Sequence, residues 1–324
     1  MTEAPAQPFT TVQMSTPVDG FRLAYRDRCP ADWGPGDPVA VLLHGWPGDA
    51  EDYRQVVPLI DPRVRVVVPD LRGFGESDRL PVDPEFYGAQ AQTRAVATLL
   101  TELGVREAVV AGYDVGSRVA QTMAHEHPEH VAALALCPPL PGAGVRVLQP
   151  HLLPELWYQF FHRIPLSVRI LDGNRDAVHA YLQHFWTSWS APRFVPDPEH
   201  FAALADRYAR PGAFEAATNW YRVGAGYAAN APRERPPAAA DRIHVPTDVL
   251  WPDSDPLLPR EWSDRLDEWF SDVSIRLVAG VGHFVPVEAP RDFADLVAAS
   301  LARSRPQTTQ RADSPAVRSH RPSQ

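Results

Sequence analysis

Short apolar runs alternate with longer amphipathic stretches over the first half of the chain. Five runs rich in aliphatic and β-branched residues have the length of buried strands: residues 21–25, 39–43, 64–68, 107–111 and 131–136. Between them, residues 90–103 and 117–127 have the spacing of helices, and Pro128 stops the second one. Strands that alternate with helices predict an α/β fold with a mostly parallel central sheet and helices on both faces.

The alternation stops at Pro138. Residues 138–241 contain no clear strand and are dense in aromatic side chains, which favours an inserted helical region. Strand-like runs and helices then return, as residues 245–251, 260–269, 273–278 and 291–301.

This pattern predicts a core interrupted by one insertion. The expected parts are a core of residues 1–137 and 242–303, a helical insertion of residues 138–241, and a disordered polar tail of residues 304–324.

The amino-acid composition excludes several classes of protein. None of the 31 basic residues of this 324-residue chain is a lysine, which excludes Schiff-base enzymes, pyridoxal enzymes and P-loop nucleotidases. A net charge of −9 argues against nucleic acid and anionic membranes as partners. Two cysteines cannot build a disulfide framework, and no apolar run approaches the ~20 residues of a membrane span. With no signal peptide visible either, we expect a cytoplasmic protein.

The segment Gly112-Tyr113-Asp114-Val115-Gly116 lies between a predicted strand and a predicted helix. A glycine-flanked turn at such a junction is sharp, and it raises one side chain to the carboxyl end of the sheet. That side chain is Asp114, which we predict to be the catalytic nucleophile. The alternative is an aspartate that only caps the following helix.

A second loop, His44-Gly45-Trp46-Pro47, follows a central strand. At this position, backbone N–H groups can stabilise an oxyanion, and we expect them to come from Trp46 and Val115. An ordinary turn at the end of a strand is the alternative.

Two late loops supply the partners of a nucleophile. Asp253 and Asp255 follow one predicted strand, and His283 follows the next. The order nucleophile, acid, histidine predicts His283 as the base and Asp255 as the acid that orients it, with Asp253 as the rival acid.

Taken together, the motifs resemble those of the epoxide hydrolases of the α/β-hydrolase superfamily. The resemblance spans about residues 18–301 and rests on H-G-W-P (44–47), D-L-R-G-F-G-E-S (70–77), G-Y-D-V-G (112–116) and G-V-G-H-F (280–284). It implies the α/β-hydrolase fold, with residues 138–241 as the family's helical cap. Dehalogenases share most of these motifs.

The predicted helical cap shows a more specific resemblance to the epoxide hydrolases. Family members hold the epoxide oxygen with two cap tyrosines, and Tyr158 and Tyr221 stand in similar segments, W-Y-Q-F-F and N-W-Y-R. Either could instead be a core residue. The resemblance implies hydrolysis of an epoxide to a vicinal diol through an ester on Asp114. The partners would be a small apolar epoxide and water, without metal or organic cofactor, and a homodimer is one option.

Other functions on this fold stay open. Haloalkane dehalogenases usually have asparagine where this chain has Trp46 and tryptophan where it has Val115. Fluoroacetate dehalogenases usually bind carboxylate with arginines one and four residues after the nucleophile, and only the second, Arg118, is present. A serine esterase would need a serine at the turn, where this chain has Asp114. A non-catalytic receptor for a small ligand is the alternative from another class.

Overall fold

The computed structural model describes residues 11–304 and is built around one eight-stranded sheet. Its strands are β1 (Gln13–Met14), β2 (Ala24–Arg28), β3 (Val39–Leu43), β4 (Arg65–Pro69), β5 (Ala108–Gly112), β6 (Val131–Leu136), β7 (Thr247–Pro252) and β8 (Val273–Val278). The predicted tail, residues 304–324, lies outside the described residues except for its first member.

The strand order is β1-β2-β4-β3-β5-β6-β7-β8. The pairs β1–β2 and β2–β4 are antiparallel, and all later neighbours are parallel. Strands β3 and β5, which pair at the centre, are buried along their whole length, as expected when helices cover both faces of a sheet. The α/β-hydrolase fold expected from the sequence is confirmed.

Four helices accompany the core strands. They are α1 (Ala89–Glu102), α2 (Val115–Glu126), α9 (Val285–Glu288) and α10 (Pro290–Ser304). Helix α2 packs on β3, β5 and β6, and α10 packs on β5, β6 and β7. Because β5 leads directly into α2, the amino end of α2 lies at the carboxyl end of the central strands.

The chain between β6 and β7 contains only helices among its regular elements. These are α3 (Trp157–Phe161), α4 (Pro165–Leu171), α5 (Arg175–Ser188), α6 (Pro198–Tyr208), α7 (Ala213–Arg222) and α8 (Tyr227–Asn230), with short 3-10 turns between them. We call residues 138–241 the cap segment. The cap segment follows β6 and precedes β7, which are neighbours in the sheet, so both of its ends lie next to the sheet.

Two predicted elements differ in the structure. The first long strand begins at Ala24 rather than Phe21, because Phe21 instead forms an isolated bridge with Val18. Residues 260–268 form 3-10 turns rather than an α-helix, with a break at Arg265, whose φ is −126°. Pro259 at the start and the highly polar composition of this segment leave few apolar positions to dock a regular helix.

Within residues 11–304, no helix is long and apolar enough to cross a membrane.

Candidate active site

The predicted turn after β5 is sharp. Asp114 has φ 49° and ψ −120°, a conformation that non-glycine residues rarely adopt. Its side chain makes no capping hydrogen bond to α2, which argues against the helix-cap alternative. The strained turn instead directs the carboxylate to the carboxyl edge of the sheet, and the residue stays only 9% exposed.

Glycines on both sides of the turn permit this geometry. A Cβ on Gly116 would overlap the backbone carbonyl of Leu43 on β3, and a Cβ on Gly112 would lie 2.6 Å from the backbone of Gly116. The two glycines therefore let α2 start directly against the central strands.

The loop after β3 meets Asp114 from the other side. The backbone N–H of Trp46 donates to Oδ1 of Asp114 at 2.7 Å. The N–H of Val115 is the first of α2 and has no partner within the helix, although it makes no recorded bond to Asp114. One of the two predicted N–H groups therefore contacts Asp114 directly.

The structure brings His283 to Asp114 and Asp255. Nδ1 of His283 hydrogen-bonds to Oδ2 of Asp255 at 2.8 Å, and Nε2 lies 3.4 Å from Oδ2 of Asp114, without a well-aligned hydrogen bond. The other oxygen of Asp255 accepts the N–H of Leu257. Asp253, the rival acid, is exposed and bonds to Ser254 and the N–H of Gly280, so it cannot orient His283.

This arrangement predicts different effects for the two acids. Asp255→Asn should lower kcat by about 10²-fold or more, because His283 loses the carboxylate that fixes its tautomer. Asp253→Asn is the matched control and should stay within about threefold of the parent, as an exposed position. Steady-state kinetics on both variants would test this, and equal losses would contradict the assignment of Asp255.

His283 holds its proton strongly in the resting site. Burial by itself would lower the pKa of His283, but the carboxylates of Asp255 and Asp114 outweigh it and raise the pKa to about 10. At neutral pH the imidazole is therefore a cation between two carboxylates.

This raised pKa links folding to pH. A histidine with a folded pKa near 10, against about 6.5 when unfolded, adds stability that is complete below pH 6.5. That contribution is lost as the pH rises towards 10, because the folded state binds the additional proton. Urea unfolding at pH 6, 8 and 10 should show this loss in the parent but not in His283→Gln. Parallel pH dependence in both proteins would contradict it.

Both predicted tyrosines line the same cavity as Asp114. Tyr158 is on α3 and Tyr221 on α7, with ring centroids 5.6 Å apart, and the indole of Trp46 stacks on Tyr158 at 5.4 Å. Burial raises the pKa of both phenols, and the negative charge of Asp114 raises it further. Each phenol therefore keeps its proton near neutral pH and can donate it to a hydrogen bond.

Three residues to which the sequence patterns assigned no role support these groups. Gln159 donates its amide N–H to the hydroxyl of Tyr158, and its carbonyl accepts the N–H of Ala228. Glu288 accepts backbone N–H groups from both sides of His283, and the carbonyl of Trp189 accepts the N–H of His283 itself. Only the spacing of Glu288, which lies five residues after His283 and ends the short helix α9, could have suggested its role.

The cap segment is tied to the loop that carries Trp46. His200 contacts the buried carboxylate of Asp52 at 3.2 Å, and Asp52 also accepts the hydroxyl of Tyr113, the residue before the nucleophile. Arg207 pairs with the neighbouring Asp49 at 2.6 Å. These buried contacts connect the cap segment with the turn that carries Asp114.

One cavity is lined by Asp114, His283 and both predicted tyrosines. Its polar lining consists of Asp114, His283, Tyr158, Tyr221, Gln159, Tyr227 and Arg118. The apolar lining includes Leu156, Trp220, Leu257 and Leu258. Among residues 11–304, no three His, Cys, Asp or Glu side chains are grouped so that they could hold a metal ion.

Comparison with known proteins supports the assignment of the α/β-hydrolase fold. Residues 38–290 match the profile of the α/β-hydrolase fold family. A soluble epoxide hydrolase from Corynebacterium sp. (strain C12) is 28% identical over 295 residues, covering 86% of this chain and 93% of the relative. A fluoroacetate dehalogenase from Burkholderia sp. is 26% identical over 196 residues, covering 59% and 64%. The crystal structure of Cfl2 from Burkholderia cenocepacia superposes with a TM-score of 0.73 at 26% identity, over 89% of this chain and 94% of Cfl2.

Proposed function

Since the chain belongs to the α/β-hydrolase fold family and epoxide hydrolases are among its relatives, we propose that it hydrolyses a small apolar epoxide to a vicinal diol through an ester on Asp114. The observation that carries this proposal is one cavity that holds Asp114, His283 and two buried phenols. The carboxylate can attack saturated carbon, and the phenols can protonate the oxygen that leaves.

In the first step, an oxygen of Asp114 forms a bond to a ring carbon, and the carbon–oxygen bond of the ring breaks. The hydroxyl groups of Tyr158 and Tyr221 hold the ring oxygen, and one of them transfers its proton to the developing alkoxide. The products of this step are a hydroxyalkyl ester on Asp114 and one phenolate.

The ester changes the charge around His283. Asp114 is now neutral, so one of the two carboxylates that hold the imidazolium proton is lost. The phenolate formed in the first step is a strong base and takes up this proton through solvent. The site then contains two neutral phenols and a neutral imidazole.

In the second step, His283 acts as a general base. It takes a proton from water, and the oxygen of that water attacks the ester carbonyl of Asp114. Asp255 stabilises the imidazolium, while the N–H groups of Trp46 and Val115 face the oxyanion that forms. The imidazolium then protonates the leaving alkoxide, which releases the diol and leaves Asp114 as a carboxylic acid. The proton of this acid passes to His283, which restores the Asp114 carboxylate and the imidazolium of the resting site.

Trapping the ester tests the mechanism. His283→Ala mixed with styrene oxide should gain the mass of one whole epoxide, because the ester forms but is not hydrolysed. The double variant His283→Ala/Asp114→Asn should gain nothing. An adduct that persists in the double variant would place the bond elsewhere, and no adduct with a broad epoxide panel would refute the covalent route.

Removing the phenols tests the role of the cap. Tyr158→Phe and Tyr221→Phe should each lower kcat/KM about 10-fold to 100-fold, and the double variant by about 10³-fold or more. Tyr181→Phe, on the same cap segment but bonded to His162, is the matched control and should retain activity. If the double variant keeps most of its kcat/KM, the tyrosines do not activate the ring oxygen.

A dehalogenase is the second candidate, favoured by the relative that acts as a fluoroacetate dehalogenase and by the presence of Arg118 in the cavity. Val115 stands where such enzymes usually have their first carboxylate-binding arginine. The same trap separates the two reactions, because a haloacid would add its mass less that of hydrogen halide.

A further inference from the structure

Asp52 is a buried carboxylate that the proposed reaction does not use. It lies in the loop after β3, six residues beyond Trp46, and its side chain is 0% exposed. Its Oδ2 accepts the hydroxyl of Tyr113 at 2.6 Å and the backbone N–H of Asp49 at 3.2 Å. Nε2 of His200 lies 3.2 Å from its Oδ1. Because a carboxylate can only accept hydrogen bonds, each of these three groups is a donor.

Two glycines leave the space in which Asp52 and Tyr113 meet. A Cβ on Gly48 would lie 2.0 Å from Oδ2 of Asp52 and 2.6 Å from the hydroxyl oxygen of Tyr113. A Cβ on Gly45 would lie 2.8 Å from the ring of Tyr113 and 2.6 Å from the Cβ of Asp114. Neither glycine has a positive φ, so lack of space rather than backbone conformation excludes a side chain. The loop is therefore shaped around this pair of side chains.

Tyr113 connects Asp52 to the reacting groups. It directly precedes Asp114, whose backbone has the unusual φ of 49°. Its ring meets the ring of His283 edge-on, with centroids 6.3 Å apart. Burial raises the pKa of Tyr113 well above its usual range, and the charge of Asp52 raises it further, so the hydroxyl keeps its proton and continues to donate. A fixed Tyr113 ring therefore restrains both the turn that carries Asp114 and one side of His283.

The cap segment holds Asp52 from the other side. His200 belongs to α6 and is buried, and the ring of Trp186 on α5 packs against it with centroids 5.5 Å apart. The indole of Trp186 also donates to the carbonyl of Pro47 at 3.1 Å. Both helices thus contact the loop after β3. If α6 moved away from the core, Asp52 would lose one of its three donors, which is costly for a buried carboxylate.

We propose that Asp52 is a positioning residue for ester formation, which holds Tyr113 and through it the carboxylate of Asp114. This inference rests on the proposed function. Asp52 does not line the reactive cavity, so it acts through Tyr113 rather than on the substrate. His200 supplies one of the donors that Asp52 needs, and the alignment of the turn therefore depends on a docked cap segment. Alignment matters because attack on saturated carbon requires the oxygen in line with the bond that breaks.

A pair of tyrosines tests the positioning. Tyr113→Phe removes the hydroxyl that Asp52 accepts. Tyr53→Phe is the matched control, because it removes an equally buried hydroxyl beside Asp52 that donates to the carbonyl of Leu43 instead. Both changes are made in the His283→Ala protein, and the rate of ester formation with styrene oxide is measured by intact mass.

Tyr113→Phe should slow ester formation about 10-fold, since a misplacement of about 1 Å can cost about 10²-fold. Tyr53→Phe should stay within about twofold, although urea unfolding should show a similar loss of stability in both variants. Equal slowing in the two variants would reduce the contact to a structural one, and an unchanged rate in Tyr113→Phe would likewise overturn the proposal.

A second set of variants tests the link to the cap segment. His200→Phe keeps a ring against Trp186 but cannot donate to Asp52, and it should slow ester formation about threefold. Combined with Tyr113→Phe, it should add no further loss, because both act through Asp52. His200→Gln, whose amide can donate, should restore most of the rate. Losses that multiply in the double variant, or no rescue by glutamine, would contradict the link.

The backbone N–H of Trp46 gives a readout that needs no turnover. It donates to Oδ1 of Asp114 at 2.7 Å, so its NMR signal in protein labelled with [15N]tryptophan reports the position of that carboxylate. The chain has nine tryptophans, and Trp46→Phe assigns the signal. The signal should move in Tyr113→Phe and stay in place in Tyr53→Phe.

This readout separates the positioning from the proposed function. A moved Trp46 signal in Tyr113→Phe, in a protein that forms no ester with any epoxide, would support the positioning and refute the epoxide hydrolase. Ester formation at an unchanged rate in Tyr113→Phe, with the Trp46 signal in place, would do the reverse.

Discussion

Asp114→Asn should lower the rate of epoxide hydrolysis by about 10⁴-fold or more, which is the size of loss expected when a covalent nucleophile is removed. The amide has the shape of the carboxylate but no negative charge, so it cannot attack saturated carbon. It can still accept the N–H of Trp46, so the unusual backbone of the turn keeps its contact. Steady-state kinetics together with urea unfolding would measure the two effects separately.

The expected pattern is a nearly complete loss of activity with a folded protein. Asp253→Asn gives the matched control, since it makes the same chemical change at an exposed carboxylate in the late loops. Turnover by Asp114→Asn at more than a hundredth of the parent rate would mean that the new oxygen of the diol comes directly from water.

The largest effect on folding should come from Gly116→Ala. The added methyl group would overlap the carbonyl of Leu43, which is main chain of the central strand β3 and cannot turn aside. Either α2 or β3 must move, and both carry parts of the site. We expect a loss of about 4 kcal/mol or more in the free energy of unfolding, or no folded protein.

A second glycine gives the control for this substitution. A Cβ on Gly34 would meet only a carboxylate oxygen of Asp37 at 3.9 Å, so Gly34→Ala should change the unfolding free energy by less than about 1 kcal/mol. Urea titration followed by circular dichroism compares the two variants. A Gly116→Ala protein as stable as Gly34→Ala would show that α2 can move from β3 at little cost.

The bounds of core strands could be predicted almost to the residue where the apolar run is flanked by polar residues or proline. β3 and β6 have the bounds that their apolar runs predict, because a buried parallel strand is apolar on both faces. β2 lies near the antiparallel edge, and its start depends on which residues pair there. The apolar run at Phe21 gave no information about that pairing.

The proximity of Asp114, Asp255 and His283 could be predicted because each one lies in a loop or turn just beyond a strand. Asp114 and His283 lie in short loops whose sequences constrain the backbone, and Asp255 lies three residues beyond β7. Gln159 and His200 could not be predicted, because their roles depend on contacts with residues 69 and 148 positions away, Ala228 and Asp52. Such contacts exist only after the cap segment and core are packed together.

The spread of the site along the chain has a consequence for biosynthesis. The ribosome delivers Trp46 and Asp114 well before the cap tyrosines, and Asp255 and His283 emerge last. On the proposed mechanism, a folded chain that ended before β8 would contain Asp114 and both cap tyrosines but not His283, the base that hydrolyses the ester. Any epoxide that reacted with it would remain attached, so a protein truncated before β8 would be consumed by its substrate after one encounter.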